Sequence, residues 1–236
     1  MSTGPSQQNI WSHFQNHAPA HVFQASHARH AAILRKIRRL ALTPKPHVLN
    51  IGIGDGNLER TAQGLGWSIY SLDPDAQAIG RIREQGIRAE TGSIEAIPFP
   101  NDHFDFIVAS EVLEHLTDKQ RQTGLREIQR VLKPDGHLIG TVPYQEDLEL
   151  NIAVCPNCRH VFHRWGHTTA FDLRQMQAEL APYFGEISCQ RTAFVEFRGR
   201  RFSGKIKSLL RLMLAKRGAA IAMPNIFFVA RKMQPC

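Results

Sequence analysis

Val48-Leu49-Asn50-Ile51-Gly52-Ile53-Gly54-Asp55-Gly56-Asn57-Leu58 is the stretch on which the fold turns. It starts as a short apolar run, reaches glycines at alternate positions, and passes into helix-like sequence from Asn57. A short apolar run stopped by glycines reads as a buried strand. Glycine lacks a Cβ and tolerates positive φ, so such a loop lets backbone approach a ligand closely. The spacing is GxGxG rather than GxGxxG, and no lysine follows as in a phosphate-binding P-loop. Seventeen residues beyond Gly56, after the strand-like WSIYSL, stands Asp73. A carboxylate at the end of a second strand can accept from both hydroxyls of a ribose. The competing reading is a solvated aspartate that caps a helix before Pro74.

Working outward, strand-like runs cover 47–51, 67–72, 87–91, 105–109, 137–142, 186–195 and 225–231. Helix-like stretches lie at 57–65, 75–85, 119–132 and 170–182. Strands separated by helices of this length imply parallel βαβ units in an α/β, Rossmann-like three-layer sandwich. Upstream, residues 26–43 carry apolar side chains at helical spacing, with Pro44 and Pro46 ending the pattern. Residues 1–20 are polar, contain Gly and Pro, and are expected to be loosely ordered. The expected organisation is an N-terminal helical lid over 1–45 and a catalytic domain over 46–236. That domain is interrupted near 151–168 by a Cys/His segment and near 198–217 by a basic one.

The chain has 236 residues, 42% of them hydrophobic, which suits one α/β domain with a sizeable core. It has no run of 18 apolar residues, so no spanning helix is expected. The opening MSTGPSQQNIW has neither a basic start nor an apolar centre, so it does not read as a secretory signal and a cytoplasmic location is expected. With four cysteines in such a compartment, a disulfide framework is not expected. The formal charge is +8, and the block from Arg198 to Arg217 holds eight cations and no acid.

Four segments taken together carry a resemblance. VLNIGIGDGNLE, SLDPD, GSIEAIPFPNDHFDFIVASEVLEHL and VLKPDGHLIGTVPY resemble the successive motifs of class I S-adenosylmethionine-dependent methyltransferases, over roughly residues 46–144. The nearest subgroup includes ubiquinone-biosynthesis O-methyltransferases and many small-molecule enzymes. The resemblance implies a seven-stranded, mostly parallel sheet whose last strand is antiparallel. It also implies that Gly52, Gly54 and Gly56 line the cofactor, with Asp73 and the neighbouring Pro74 at its ribose. Two positions depart from the family's pattern. Asn50 stands where an acid is common, and Ser93 replaces the acid that often meets the adenine amino group. Adenine would then depend on backbone near Ile94 and on apolar packing.

After the fourth strand comes Ser110-Glu111-Val112-Leu113-Glu114-His115-Leu116. In the family this segment contacts the methionine part of the cofactor and faces the acceptor. Ser110 and Val112 are therefore cofactor candidates, and Glu111 and His115 catalytic ones. An unperturbed histidine titrates near 6.5, so His115 could serve as a general base. Alternatively, Glu114 and His115 only order the next helix. Methyl transfer needs no covalent enzyme intermediate, and in-line placement of the acceptor can supply most of the rate.

Cys155-Pro156-Asn157-Cys158-Arg159-His160-Val161-Phe162-His163-Arg164-Trp165-Gly166-His167 is the second distinctive segment. CxxC brings two thiolates onto one tight turn, and His163 and His167 follow closely. Cys155, Cys158, His163 and His167 suit a closed tetrahedral structural zinc, with His160 or Cys189 as substitutes. Reduced surface thiols with solvated histidines are the alternative. A redox CxxC lacks its expected place at a helix start.

Trp11, Phe14, Phe23 and residues 27–40 precede the first strand, where family members often cover the cofactor. In 205–217, Ile206, Leu209, Leu210 and Met213 share one helical face with cations around them. This block could lie on an anionic membrane surface, leaving the protein peripheral to a membrane. It could meet nucleic-acid phosphate or an acidic substrate, or pack its apolar face on the domain. Three functions follow: methyl transfer to a small-molecule or lipid-linked acceptor, RNA or protein methylation, or cofactor binding without catalysis.

Overall fold

The computed structural model describes residues 7–18, 20–195 and 201–233. In chain order the elements are α1 (Gln7–His17), α2 (Ala20–Leu40), β1 (His47–Ile51), α3 (Asn57–Gly64), β2 (Ser68–Asp73), α4 (Ala76–Arg83), β3 (Arg88–Thr91) and β4 (Phe104–Ser110). There follow α5 (Asp118–Val131), β5 (Leu132–Pro143), β6 (Ile152–Val154), β7 (Val161–His163), α6 (Leu173–Leu180), β8 (Phe184–Thr192), α7 (Phe202–Lys216) and β9 (Asn225–Lys232). Seven strands form one sheet in the order β3-β2-β1-β4-β5-β9-β8. The pairings from β3 to β5 are all parallel, and β9 runs antiparallel to both β5 and β8. This is the expected Rossmann-like sheet with its last strand reversed.

Strand alternation explains the three layers. In β1, Leu49 and Ile51 join the core on one face while Val48 joins the other. Likewise Ile107 and Ala109 of β4 oppose Phe106 and Val108, and Phe228 and Ala230 of β9 oppose Phe227 and Val229. Side chains in a strand alternate sides, so a strand apolar throughout must be covered on both. One cover comes from α5 and α6 through Leu125, Ile128, Met176 and Leu180. The other comes from α2, α3 and α4 through Ile33, Ile37, Leu58, Ile79 and Ile82. Gly140 in β5 is required by a close approach: a Cβ there would lie 2.2 Å from the Ala109 carbonyl oxygen and 2.3 Å from Phe228 Cζ.

Two expectations need correction, and one of the alternatives open for 205–217 falls away. Residues 7–17 are helical, where a loosely ordered segment was expected. The physical reason is that Trp11 and Phe14 find aromatic partners, Trp11 on His115 at 5.3 Å and Phe14 on Trp165 at 5.2 Å. The Cys/His segment is framed by an antiparallel hairpin, β6 with β7, that the periodicity did not suggest. The apolar face of α7 does not pack on the domain: Ile206, Leu209, Leu210 and Met213 are about half exposed, and the helix instead buries Ser208 and Ala215. Arg198 and Arg200 of the basic block lie outside the described residues. No helix among the described residues is long and apolar enough to cross a membrane.

Candidate functional site

Strand order reverses between β1 and β4, which opens a crevice at the carboxyl ends of the strands, where ligands of such sheets bind. A cavity of about 530 Å³ lies there, within the ordinary range for small-molecule sites. Among its lining residues are Asn50, Gly52, Gly54, Asp73, Pro74, Ser93, Ile94, Ser110, Glu111, Val112 and His115. Eleven of the twelve residues proposed from the sequence for cofactor binding and catalysis therefore share one wall. Gly56 is the exception. Its φ of +73° caps α3, and a Cβ would meet Ile82 Cδ1 at 2.5 Å, so this glycine serves the turn. A Cβ on Gly52, whose φ is +81°, would lie 3.1 Å from Val112 Cγ2, and one on Gly54, whose φ is +60°, would lie 3.9 Å from the Phe23 ring. The loop thus stays thin between α2 and the segment after β4.

The two roles open to Asp73 are divided between two aspartates. Asp75 is the helix cap, accepting from the Ala78 N–H at 2.8 Å. Asp73 is 1% exposed, and its Oδ2 accepts from the Ile53 N–H at 3.0 Å and its Oδ1 from the Asp75 N–H at 2.8 Å. Gln15 Nε2 also reaches Oδ2 at 3.4 Å, so these bonds fix the carboxylate on the cavity wall and leave Oδ1 with acceptor capacity for a ligand. Burial pushes its pKa up.

Asn50 does not stand in for a missing acid on the ligand side. Its amide turns away, donating to Glu59 Oε1 at 2.6 Å and to the Gly52 carbonyl at 2.9 Å. Glu59, on α3, is fully buried and also accepts from Ser71 Oγ at 3.1 Å. Burial raises its carboxyl to about 7. Glu59 places a carboxyl behind Asn50 but does not itself line the cavity. Sequence reading missed Glu59, although a carboxylate beside Leu58 and Ala62 on an apolar helix face was the available signal.

Glu111 sits at φ +58°, an uncommon backbone for a side chain with a Cβ, of the kind that concentrates at functional sites. Thr141 Oγ1 donates to its Oε1 at 2.8 Å, Asn225 Nδ2 lies at 3.3 Å, and Arg29 Nη1 is 3.7 Å from Oε2. Arg29 Nε also donates to Ser110 Oγ at 2.9 Å. Helix α2, β5 and β9 thus converge on Glu111.

His115 lines the cavity but is a poor general base. Burial, followed by the adjacent His167, lowers its pKa to about 3, far from a working pH. Glu114 is fully buried, and burial together with the Glu111 carboxylate raises its pKa well above the carboxylate range. The two readings for these residues, chemistry or helix ordering, meet here: the cap of α5 is Thr117, paired with Gln120.

The proposed zinc tetrad is not assembled. The groups whose donor atoms all lie within 4.8 Å of one another are Glu114–His115–His167 and Glu146–His163–His167, among the described residues, and neither contains a cysteine. Cys155 and Cys158 flank the exposed turn of the β6–β7 hairpin, where the Cys158 and Asn157 N–H groups lower the Cys155 thiol. His163 and His167 stack at 4.9 Å, but around Glu146 rather than the thiols. Cys189, on β8, is half-buried, and burial raises its thiol to about 11.

A family model described as "Methyltransferase domain" matches residues 49–140. Over that segment the chain is similar to class I methyltransferases. A curated "uncharacterized methyltransferase" of Anoxybacillus flavithermus is 25% identical over 52% of this chain and 70% of its own length. A ubiquinone/menaquinone biosynthesis C-methyltransferase of Vibrio campbellii is 35% identical over 41% of this chain and 40% of its own. Across four curated relatives the match spans from 43% to 70% of their own length. Among solved structures, the 1,6-didemethyltoxoflavin-N1-methyltransferase of Burkholderia thailandensis, with its substrate and S-adenosylhomocysteine bound, has a TM-score of 0.65 at 16% identity, covering 97% of this chain and 87% of that one. The [4+2]-cyclase SpnF has a TM-score of 0.60 at 17% identity, each chain covered to 98%. Likeness at such identity concerns the fold alone, and SpnF carries a different reaction on it.

Proposed function

We propose that the protein is an enzyme that transfers a methyl group from S-adenosylmethionine to a small-molecule or lipid-linked acceptor by direct displacement. The observation that carries the proposal is the cavity wall itself, where the Gly52–Gly54 loop, the buried carboxylate of Asp73 and the Ser110–His115 segment meet. These residues fit the cofactor's chemistry. Asp73 offers an acceptor oxygen to a ribose diol. Ile94, 5% exposed, gives an apolar surface to a base, with Ser93 beside it. Gly52 leaves room for backbone contact.

When bound, the cofactor supplies an already activated methyl on a sulfonium. The protein's share is placement. Glu111 is oriented by Thr141, Asn225 and Arg29 and can hold a polar acceptor group in line. Trp11, Phe23 and His30 line the same cavity from α1 and α2 and exclude water. His115 contributes a neutral imidazole and not a strong base.

The lipid-linked alternative is favoured by α7. Its half-exposed apolar residues alternate with Lys205, Lys207, Arg211 and Lys216, a pattern suited to an anionic bilayer surface. A cytoplasmic protein peripheral to the membrane is the corresponding location. RNA or protein methylation would use the same cations against phosphate or acidic side chains. Binding without catalysis is the remaining reading.

Calorimetry with S-adenosylmethionine tests the foundation, with Asp73→Ala expected to weaken binding at least tenfold. Absence of binding to the parent protein would refute the proposal. A transfer screen with methyl-labelled cofactor against extract fractions identifies the acceptor, and label in RNA or protein would favour that reading. Cosedimentation with anionic vesicles, lost in Leu209→Glu/Leu210→Glu, tests the surface of α7.

A further inference from the structure

The Ser110–His115 segment and the residues following the hairpin meet in a cluster that methyl transfer alone does not explain. We propose that Glu114, His115 and His167 form a binding site for a borderline divalent metal ion, of the zinc, cobalt or iron(II) class, in the wall of the cavity.

Three observations support the site. First, one donor atom from each residue lies within 4.8 Å of the others. Donors around an ion with bonds of about 2.1 Å stand ~3–3.4 Å apart, so closure needs only small side-chain rotations.

Second, hydrogen bonds fix the tautomers of both histidines. His115 Nδ1 faces the Gly166 carbonyl oxygen at 3.3 Å. A carbonyl can only accept, so Nδ1 carries the proton and Nε2 the lone pair. His167 Nδ1 is hydrogen-bonded to the Glu146 carboxylate, which likewise places the lone pair on Nε2. A carboxylate or carbonyl behind a ligating histidine is the usual outer support of a metal site.

Third, Glu114 is fully buried, and neither of its oxygens has a hydrogen-bond partner among the described residues. Burying a carboxyl without donors is costly, and a cation would satisfy both oxygens at once.

The neighbouring group, Glu146–His163–His167, has the wrong protonation pattern for a ligand set. His163 Nδ1 accepts from the N–H groups of His167 at 3.1 Å and Trp165 at 3.4 Å. Its proton is therefore on Nε2, which points at Glu146 Oε1 from 3.6 Å. His163 thus orients Glu146, and Glu146 orients His167.

Two imidazoles and one carboxylate suit zinc, cobalt and iron(II) and leave coordination positions open. Because His115 lines the cavity, an open position faces it and takes an oxygen donor of the acceptor. That use rests on the methyl-transfer reading, whereas metal binding does not.

The test is titration of the chelator-treated full chain with cobalt(II), followed by absorbance, with no S-adenosylmethionine present. The expected result is one ion per chain, with visible d–d bands and no thiolate-to-cobalt charge-transfer band. The Cys155→Ser/Cys158→Ser variant should behave as the parent does. Glu146→Gln leaves all three ligands in place and should weaken binding roughly 10–100-fold. His167→Gln should abolish it. Absence of binding, a thiolate charge-transfer band, loss of the ion in the double-serine variant, or unchanged affinity in Glu146→Gln would each overturn the assignment. Cofactor calorimetry is a separate readout, so failure of this site is distinguishable from failure of the proposed activity.

Discussion

Replacing Asn50 with aspartate exchanges an amide for a carboxylate of nearly the same shape, and restores the acid that related methyltransferases often carry. In this protein the exchange acts on two hydrogen bonds. Asn50 Nδ2 donates to Glu59 Oε1 at 2.6 Å and to the Gly52 carbonyl at 2.9 Å. Aspartate can donate to neither, so oxygen would face oxygen in both directions. At about 1.5–2 kcal/mol for each lost donor, inside the usual range of about 1–3, the pair costs about 3–4 kcal/mol, Ser71 remaining as a donor to Glu59. In a domain of this size each kcal/mol lowers Tm by about 2–4 °C, so the expected drop is about 6–16 °C at pH 8. Two carboxylates this close can share one proton, so the loss should shrink at pH 5.5. Asn50→Asp/Glu59→Gln supplies a donor from the other side and should recover more than half of it. Thermal unfolding of the four proteins at both pH values is the assay. If Asn50→Asp melts within 2 °C of the parent at pH 8, or if Glu59→Gln brings no recovery, the Asn50–Glu59 pairing is not what holds the loop.

Three further outcomes are expected. Glu59 is raised to about 7 from an ordinary value of 4.5, so its contribution to stability is fully present below about pH 4.5 and is lost as pH rises through about 7. Relative to the parent, Glu59→Gln should therefore gain about 3 kcal/mol between pH 4.5 and pH 8 in urea unfolding, and parallel profiles would contradict this. Gly140→Ala should lower stability by more than about 3 kcal/mol, because its Cβ meets the Ala109 carbonyl at 2.2 Å, whereas Gly80→Ala in α4 meets nothing within 4 Å and should add about 0.5–1 kcal/mol; chemical denaturation of both checks the contrast. Arg121 is 4% exposed and donates to the Leu116 carbonyl at 2.6 Å, Thr169 at 2.9 Å and Glu179 at 3.2 Å, so Arg121→Met should cost about 2–3 kcal/mol and increase proteolysis between 165 and 172.

Much of this architecture was legible in the chain because it follows from periodicity. Strands buried on both faces are apolar throughout, and the glycine loop marks where the first must stop. Asp73 was legible because its place is set by the local strand end. What escaped depends on contacts between distant segments. Glu59 meets Asn50 across the first βα turn, and no spacing rule encodes that pair. The cysteines and histidines of 155–167 look like one ligand set along the sequence. The β6–β7 turn carries Cys155 and Cys158 outward, while Gly166 and the bonds of Thr168 to the Glu114 and Leu116 carbonyls turn His167 inward toward His115. Helix α1 escaped because its aromatic partners, His115 and Trp165, lie more than a hundred residues away.

The two aspartates that bracket Pro74 have a consequence for the order of events at the cavity. Asp75 holds α1 through Ser12 and Asn16, while Gln15 of the same helix reaches Asp73 at 3.4 Å. One short turn therefore serves as the latch of α1 and as part of the cavity's floor. Thermodynamic linkage makes that sharing reciprocal. A ligand that binds more tightly with α1 docked must hold α1 docked by the same factor. Protease resistance of residues 7–17 would then report cavity occupancy directly, without any knowledge of the acceptor.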